Sequence, residues 1–422
     1  MKKHREQSLH AILFMLLLCL TTTSLVAQDS MNQSEFITIS GVVKDKQTHK
    51  RLEYVNISVP GTKIGTVTNQ DGEFTIKISK LLRNQNVEIS HIGYLNAQVP
   101  INTKNPLRQL VWLEPNYTSL DEVIIRGGES RRIVEEAMGK IAQNYVSNGS
   151  LLTGFYRETA QKGRRYISIS EAIIQIHKTS YADRNVNRDR VQILKGRKLL
   201  SQKRSDTLAV KLLGGPTLSI FMDLVKNPDV LLSPEILNLY HFWMDASVLL
   251  NERPHYVISF IPRVDMPYAL HFGKLYIDKE RLSFSRVEFA LDMSDKSKAT
   301  TSILQKKPFG LRFKPLELSF LVTYKELNGV SYLNYIRSEI RFKCDWKRKL
   351  FATNYAIVSE MVVTDGERNE QIIPYRDSFK KNQSLTDRVS DFYDPDFWGA
   401  YNIIKPSESL ENAVHKLKKQ HK

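Results

Sequence analysis

The stretch that most constrains the fold runs from residue 41 to 94, where short β-branched segments alternate with turn residues at near-regular spacing. This pattern is typical of a small all-β sandwich. Residues 69–72 read Asn-Gln-Asp-Gly and separate two strand-like runs at 65–68 and 74–76. A type I turn that ends in a left-handed glycine would close such a hairpin, because glycine adopts a positive φ without a side-chain clash. We therefore predict a hairpin that turns at Gly72.

Several marks in this stretch together resemble the carboxypeptidase-regulatory-like domain, a seven-stranded transthyretin-like sandwich. They are Gly41-Val42-Val43-x-Asp45, Gly65-Thr66-x-Thr68, Asp71-Gly72-x-Phe74 and Ile92-Gly93-Tyr94. The resemblance covers residues 37–114. It implies an accessory domain of a bacterial envelope protein, and it assigns neither a reaction nor a partner.

The N-terminus reads as a signal peptide. Lys2, Lys3 and Arg5 precede an apolar run at 11–20 that is shorter than the roughly 20 residues of a membrane-spanning helix. Ala27 provides a cleavage point, so we expect residues 1–27 to be removed on export. Cys19 follows Leu18, where a lipoprotein signal requires a small residue, so we expect no lipid anchor there. No later stretch is long and apolar enough to span a membrane as a helix.

Cysteine usage agrees with export to a bacterial periplasm. The chain has two cysteines in 422 residues and a formal net charge of +16. After loss of the signal peptide, Cys344 alone can form neither an internal disulfide nor a thiolate metal site. We predict a location in the periplasm or at the periplasmic face of the outer membrane. Export argues against nucleic acid as the partner of this basic chain.

Residues 115–149 are interpreted as a linker followed by a helix. The run at 120–127 resembles the segment after the same domain in outer-membrane nutrient receptors, where a TonB-coupling motif sits. The rest of this chain shows no plug pattern, so an extended linker strand is the favoured interpretation. The helix is predicted from Ser130 as its N-cap and from apolar residues spaced by four: Ile133, Ala137, Ile141 and Tyr145.

Residues 150–376 read as a large antiparallel β domain. Strict alternation from Leu316 to Tyr324 indicates a strand with one apolar face. Asn328-Gly329 is the strongest short hairpin signal of the chain. The return strand places these residues on one face: Tyr332, Ile336, Ile340, Phe342 and Cys344. The run at 272–278 resembles the paired strands of curved half-barrel carriers of the envelope.

The remaining segments are predicted from breakers and helical spacing. Residues 207–250 read as helical or irregular, because Gly214-Gly215-Pro216 and two later prolines interrupt them. Residues 377–422 read as an aromatic and acidic loop followed by an amphipathic helix after Ser407. The fold class is therefore mainly β: an N-terminal transthyretin-like or immunoglobulin-like sandwich, a helix, a large curved antiparallel sheet and a C-terminal helix.

We find no catalytic motif, and we predict no catalytic or cofactor-binding residue. The histidines form no H-x-x-E or H-E-x-x-H pair, and no G-x-S-x-G elbow is present. Cys344 lies in a strand pattern that faces the core, which is unlike a reactive thiol. Four carboxylates are interpreted as ordinary residues of solvent-exposed faces: Glu171, Glu288, Glu326 and Asp345.

Two clusters are candidates for ligand binding. Asp391, Asp394 and Asp396 could hold a hard cation such as calcium, but the glycine-bearing calcium loop is missing, so no metal site is predicted. The sharpest surface feature is a basic run that predicts an anionic partner surface: Arg184, Arg188, Arg190, Lys195, Arg197, Lys198, Lys203 and Arg204. Envelope proteins, anionic lipid headgroups, lipopolysaccharide phosphates and acidic glycans are the candidate partners. A solvated, mobile basic loop is the alternative.

Three functional hypotheses follow. The first is a non-catalytic binding or scaffold protein of the envelope. The second is a carrier of a lipid or other apolar ligand, with a cavity lined by residues such as Leu318, Phe320, Ile336 and Ile340; a filled core there would argue against it. The third is a hydrolase that acts on peptide or glycan. A transmembrane barrel is a structural alternative, but the charged strand faces and the basic helical tail are atypical of one.

Overall fold

The computed structural model describes residues 35–102, 104–116, 128–206, 213–304, 309–346, 352–367, 372–391 and 395–420. The predicted signal peptide and the connector at 120–127 lie outside these residues.

Residues 36–113 form a sandwich of two sheets. Its strands are β1 (Phe36–Asp45), β2 (Asn56–Ser58), β3 (Gly65–Val67), β4 (Glu73–Ser79), β5 (Asn86–Ser90), β6 (Ala97–Pro100) and β7 (Gln109–Leu113). One sheet has the order β4-β1-β7 and the other β3-β2-β5-β6. Alternate residues such as Ile39, Phe74, Ile76 and Ile89 point between the sheets and are fully buried. The predicted seven-stranded sandwich is confirmed.

The turn at Gly72 has the predicted backbone but not the predicted partners. Gly72 has a φ of 67°, and the Asn69 side-chain oxygen accepts hydrogen bonds from the amides of Asp71 and Glu73 at 2.9 Å each. However, β3 and β4 belong to different sheets. The turn is therefore a corner between the two layers, and the prediction of a hairpin within one sheet is wrong. Local turn chemistry sets the direction of the chain, whereas the pairing depends on distant strands.

The helix that follows is divided in two, α1 (Glu129–Gly139) and α2 (Ile141–Asn144). The prediction of Ser130 as the N-cap is wrong: the N-cap is Gly128, and Ser130 is the second residue of the helix and is buried. The four apolar residues predicted to share a face are all buried in the main core.

The second part of the chain is built on one large open sheet. Its strands are β8 (Ser150–Lys162), β9 (Arg165–Lys178), β10 (Arg190–Leu200), β11 (Tyr240–Leu250), β12 (Arg253–Pro262), β13 (His271–Asp278), β14 (Phe284–Leu291), β15 (Leu311–Leu327), β16 (Val330–Trp346), β17 (Thr353–Glu367) and β18 (Ser390–Asp391). Among the described residues the order is β11-β12-β13-β14-β15-β16-β17-β8-β9-β10-β18. Neighbouring strands are antiparallel except the short β18, which pairs in parallel with β10.

The predicted hairpin at Asn328-Gly329 is confirmed. Both residues have a positive φ, 51° and 77°, as a two-residue primed turn requires. Leu327 pairs with Val330, and the two strands of 17 residues each remain paired as far as Leu311 and Trp346.

The prediction that residues 207–250 are helical or irregular throughout is wrong for the last eleven. Short helices α3 (Gly215–Phe221) and α4 (Pro234–Leu237) do occur, but residues 240–250 form β11 at an edge of the large sheet. Trp243 pairs there with Ser259 of β12. Short apolar runs have no decisive periodicity, so the neighbouring strand determines their structure.

The two faces of the large sheet are covered by different parts of the chain. Helices α1 to α4 pack on the first face and, with strand residues such as Ile174, Ile258 and Val322, form the main core. The second face carries the sandwich, residues 397–404 and the C-terminal helix α6 (Glu408–Lys418). A helix α5 (Lys296–Ile303) lies before β15.

The C-terminal helix agrees with the sequence prediction. Ser407 is its N-cap, and its hydroxyl accepts a hydrogen bond from the Leu410 amide at 3.3 Å. Leu410, Val414 and Leu417 are buried against β9 and β10. In the described part of the chain, every helix is too short or too polar to cross a membrane.

Candidate functional site

An open groove of about 530 Å³ lies between the sandwich and the second face of the large sheet. Glu53 and Tyr54, from the loop after β1, form its wall on the sandwich side. The opposite wall comes from β11 to β16, including Trp243, Ser259, Ile261, Phe272, Lys274, Arg286, Glu288, Ser319, Phe320, Leu321 and Arg337. Residues about 280 positions apart in the chain therefore meet in one depression.

Three large apolar side chains border the groove and remain accessible. Trp243, Ile261 and Phe272 are 37%, 44% and 44% exposed, and they come from the adjacent strands β11, β12 and β13. Single exposed apolar residues are ordinary on a protein surface, but a contiguous group beside a concave surface marks a binding site. The group can therefore bind an apolar moiety.

Paired charges form one part of the groove floor. Lys274 Nζ lies 2.8 Å from Asp245 Oδ2, and the Ser259 hydroxyl donates a hydrogen bond of 2.6 Å to the same oxygen. The Trp243 indole N–H donates to Asp245 Oδ1 at 3.0 Å. Burial raises the pKa of Asp245, but the hydrogen bonds from Lys274 and Ser259 outweigh it and lower the pKa below its usual value. Asp245 therefore stays ionised at neutral pH and holds the Trp243 ring in place.

Two further ion pairs neutralise the rest of the floor. Arg286 Nε lies 2.5 Å from Glu288 Oε1, and Arg337 Nη2 lies 2.6 Å from Glu339 Oε2. Each cation has its own carboxylate within hydrogen-bond distance. The floor thus offers hydrogen-bonding groups of both charges to a ligand.

Tyr54 forms a strained part of the wall. Its φ is 57°, which is uncommon for a bulky aromatic residue. The conformation is held by a hydrogen bond from its amide to the Thr68 carbonyl at 3.2 Å and by a stacked contact with Tyr335 at 5.9 Å between ring centroids. The Arg337 guanidinium lies 5.2 Å from the Tyr54 ring centroid. Backbone strain of this kind often accompanies a functional position.

The basic run predicted from the sequence does not form one uniform surface. Most of it is strand β10 and a short 3-10 turn before it, so the alternative of a mobile loop does not describe these residues. Arg197 is buried, with Glu171 Oε2 2.9 Å from its guanidinium and its Cζ 4.5 Å from the Trp398 ring centroid. Arg197 is therefore not part of a surface, which corrects its assignment. The other members of the run are exposed or half-buried.

Glu171 is a second correction, because it does not lie on a solvent face. It is buried between Arg157 and Arg197, at 2.8 Å and 2.9 Å. Burial raises its pKa, but the two guanidinium groups outweigh burial and lower it. Glu288 and Glu326 are half-buried or exposed and paired with arginines, as expected of residues at a strand surface.

In the described part of the chain, the acidic candidates for a metal site do not form a cluster. Asp391 is exposed and lies 3.8 Å from Lys198 Nζ, Asp396 is exposed, and Asp394 lies outside the described residues. In the described ranges, no three side chains of His, Cys, Asp or Glu are placed to hold a metal ion.

The histidines and the cysteine have structural surroundings. His255 is buried, with Nδ1 2.9 Å from the Arg253 carbonyl oxygen and Nε2 2.8 Å from the Ser285 hydroxyl. His271 lies at the other end of the neighbouring strand pair. Burial raises the pKa of the Cys344 thiol to about 11, so the thiolate is scarce at neutral pH.

The four residues expected to line a carrier cavity lie in separate places. Ile336 is fully packed in the main core, whereas Leu318 and Ile340 pack in two smaller apolar clusters. Only Phe320 borders the groove, and its ring stacks on Phe289 at 4.7 Å. The prediction of a cavity lined by all four residues is therefore wrong. The open space lies on the second face of the large sheet.

The sequence did not reveal the groove, because its walls depend on long-range contacts. Trp243 lies in a segment predicted to be helical or irregular, and Tyr54 lies within the predicted sandwich, where no sequence motif singles it out. A signal that could have indicated the groove is the presence of apolar residues at outward-facing strand positions, such as Ile261 and Phe272.

Residues 39–125 match the family model of the CarboxypepD_reg-like domain. The chain is also 36% identical over 97 residues to a TonB-dependent receptor of Formosa agariphila. That match covers 22% of this chain and 9% of the receptor, so this chain spans less than a tenth of the receptor's length. The carboxypeptidase-regulatory-like domain predicted from the sequence is confirmed.

Two solved structures share low similarity with the chain. One is described as an outer membrane lipoprotein-sorting protein domain from Vibrio parahaemolyticus, with 13% identity and a TM-score of 0.26, covering 59% of this chain and 95% of that one. The other is a LolA superfamily protein from Nitrosomonas europaea, with 11% identity and a TM-score of 0.20, covering 60% and 97%. Both scores are too low to support an inference about this chain.

Proposed function

We propose that this chain is an exported, non-catalytic binding protein of the cell envelope that holds a small amphipathic ligand in the groove beside the sandwich. The observation that carries the proposal is the accessible group of Trp243, Ile261 and Phe272 above a floor of paired charges. A volume of about 530 Å³ lies within the range of small-molecule sites.

The lining chemistry favours an amphipathic ligand over a purely ionic one. The three apolar side chains lose unfavourable contact with water when an apolar moiety covers them. Asp245, Lys274, Arg286 and Glu288 already neutralise one another, so a strongly charged ligand would have to disrupt existing pairs. Hydroxyl, amide or zwitterionic groups can instead add hydrogen bonds to these pairs.

A carrier of an apolar ligand is the second candidate, and the same exposed group favours it. The two candidates differ in whether the ligand is exchanged between partners or retained. A ligand of this size corresponds to one acyl chain or a short peptide better than to a complete two-chain phospholipid.

Location and the lack of catalysis belong to the proposal as well. The basic, apolar N-terminus supports export to the periplasm, and the domain shared with a TonB-dependent receptor supports an envelope protein. A scaffold role would use the same surface for a protein segment. We propose no hydrolysis. The Ser259 hydroxyl donates to Asp245, but that carboxylate is already bound by Lys274 and by the Trp243 indole, so it is a poor base for activating the serine.

Native mass spectrometry tests the groove. Residues 28–422 are purified from a bacterial periplasm without detergent, beside the variant Trp243→Ala/Phe272→Ala and the control Trp112→Ala. Trp112 is a matched control because it is 38% exposed on the sandwich and does not line the groove.

We expect a reproducible added mass on the wild-type chain and on Trp112→Ala, with loss of that mass from the groove variant. A lipid-sized mass would favour the carrier, and a peptide mass would favour the scaffold. An added mass that survives the groove substitutions, or its absence from the wild-type chain, would count against this site.

A further inference from the structure

The exposed part of the basic run is joined in the structure by a second segment that is distant in the sequence. Residues 372–381 lie against the start of β10 and the connection that precedes it. The Phe379 amide donates a hydrogen bond of 2.7 Å to the Val191 carbonyl, and Arg190 Nη1 donates one of 2.8 Å to the Ile373 carbonyl. Lys381 Nζ donates to the Asn187 side-chain oxygen at 3.0 Å.

This contact assembles a surface that we call the basic face: Arg184, Arg188, Arg190, Arg376, Lys380 and Lys381. Two carboxylates accompany the six cations. Asp183 lies 2.7 Å from Arg188, and Asp377 lies 3.6 Å from Arg376. Arg376 is 87% exposed in its side chain. The basic face therefore keeps an excess of positive charge in contact with solvent.

Apolar side chains project beside these cations. Ile372 and Tyr375 are 61% and 69% exposed. The Tyr375 ring has Lys380 Nζ 3.0 Å and Arg190 Cζ 5.8 Å from its centroid. A tyrosine with an accessible ring among lysine and arginine side chains is suited to the boundary between water and lipid.

From this arrangement we propose that the basic face docks the protein on an anionic phospholipid surface. The cations approach the phosphate groups, while Ile372 and Tyr375 enter the headgroup region. Charge complementarity alone would also suit an acidic polysaccharide. The exposed isoleucine favours a membrane, because a soluble polyanion provides no apolar phase for it. This proposal does not rest on the groove, whose residues are separate from the basic face.

The expected strength follows from the number of basic groups. Each lysine or arginine near an anionic membrane surface strengthens binding by roughly fivefold, and the attraction is screened by salt within a Debye length. Reversal of two charges on the basic face should therefore weaken membrane binding by roughly thirtyfold or more.

Co-sedimentation with vesicles tests the proposal on residues 28–422. One set of vesicles contains phosphatidylglycerol and phosphatidylethanolamine, and the other contains only phosphatidylcholine. The variants are Arg376→Glu/Lys381→Glu and Ile372→Ser/Tyr375→Ser. The matched control, Lys50→Glu/Arg108→Glu, makes the same change in net charge at exposed positions of the sandwich.

We expect the wild-type chain to bind the anionic vesicles at low salt and to dissociate from them at high salt. It should not bind the phosphatidylcholine vesicles. Binding should weaken roughly thirtyfold or more in the Arg376/Lys381 variant and severalfold in the Ile372/Tyr375 variant, whereas the control stays within about twofold. Circular dichroism confirms that each variant is folded.

Three results would overturn the proposal. The first is a lack of wild-type binding to anionic vesicles at low salt. The second is an equal loss in the Lys50/Arg108 control, which would reduce the effect to net charge. The third is unchanged vesicle binding by Ile372→Ser/Tyr375→Ser together with equally tight binding to polygalacturonate, which would assign the face to soluble acidic glycans.

Discussion

The surroundings of each charged residue decide whether it supports the fold or faces a ligand. Glu171 lies between Arg157 and Arg197, and Lys178 Nζ lies 2.6 Å from Asp189 and 2.8 Å from Asp223. These side chains are buried and satisfied by several partners. Loss of one partner would leave an uncompensated buried charge, which costs about 3–5 kcal/mol. We assign both networks to the fold.

Glu158 differs, because its buried carboxyl group lies beside a hydroxyl and not a cation: the Tyr156 hydroxyl donates a hydrogen bond to it at 3.1 Å. Burial raises its pKa from 4.5 to about 7. The native state therefore keeps the proton at pH values where the unfolded state has released it.

The first prediction concerns the pH dependence of stability. Between pH 4.5 and 7 the unfolded chain binds fewer protons at Glu158 than the native chain does, so rising pH favours unfolding. This contribution is fully present below pH 4.5 and is lost by about pH 7, with a total of about 3 kcal/mol. In the Glu158→Gln variant this side chain is neutral at every pH, so the variant should not show this decline in the free energy of unfolding.

Urea unfolding from pH 4 to 8 measures this effect. Groups that titrate alike in the two proteins contribute equally to both free energies of unfolding. The difference between wild type and Glu158→Gln therefore reports on Glu158 alone. As pH rises, the free energy of unfolding of the wild type should fall relative to that of Glu158→Gln. Parallel pH profiles for the two proteins would show that Glu158 ionises normally in the native state.

At the scale of elements, the turns were the most predictable features and the edge strands the least. Asn328-Gly329, the C-terminal helix after Ser407 and the sandwich strands all agree with local sequence patterns. β11 was missed because its strand structure depends on pairing with β12. Local chemistry specifies a turn through the φ values it permits, but it does not specify a distant partner.

The second prediction applies the same substitution to two glycines and expects opposite signs. Gly329→Ala places a side chain at a φ of 77°, where L-residues are strained by about 1–2 kcal/mol, so stability should fall. Gly139→Ala lies at the end of α1 with open space at its Cβ position, so it should gain up to about 1 kcal/mol.

Thermal and urea unfolding of the two variants provide the comparison. Equal effects of the two substitutions would contradict the conformational explanation. A neutral Gly329→Ala would mean that the turn relaxes to another type without loss of strand register.

For the whole molecule, the C-terminal strap, residues 397–407, joins the sandwich to the large sheet. The Thr66 hydroxyl donates a hydrogen bond of 3.0 Å to the Ile403 carbonyl, and the Lys77 amide donates one of 2.7 Å to the Asn402 side chain. On the sheet side, Arg157 donates to the Ile404 carbonyl at 2.7 Å, and Trp398 is buried against Phe155. The strap therefore couples the two parts mechanically.

The third prediction is that removal of the strap uncouples the two parts. A chain that ends at residue 395 should unfold in two separate calorimetric transitions, because the sandwich loses its hydrogen bonds to the strap. A chain that ends at residue 407 retains the strap and lacks only α6, so it should unfold as cooperatively as the full chain, at a lower temperature. One cooperative transition in both truncated chains would show that direct contacts suffice for coupling.

The amino-acid sequence alone was enough to predict the sandwich, its glycine turns, the hairpin at 328–329 and the capped C-terminal helix. The turns, the hairpin and the helix cap depend on interactions within a few residues, where φ preferences and hydrophobic periodicity act directly. The sandwich was predicted from its spacing of strands and turns and from its family motifs, although its strands pair over long distances in the chain. Long-range contacts in the folded chain are what bury Glu171 and Arg197, make β11 a strand, and bring Tyr54 to Trp243 and Phe272 in a groove. These features depend on which distant strands become neighbours, because burial and charge pairing arise only after the sheet and the strap have assembled.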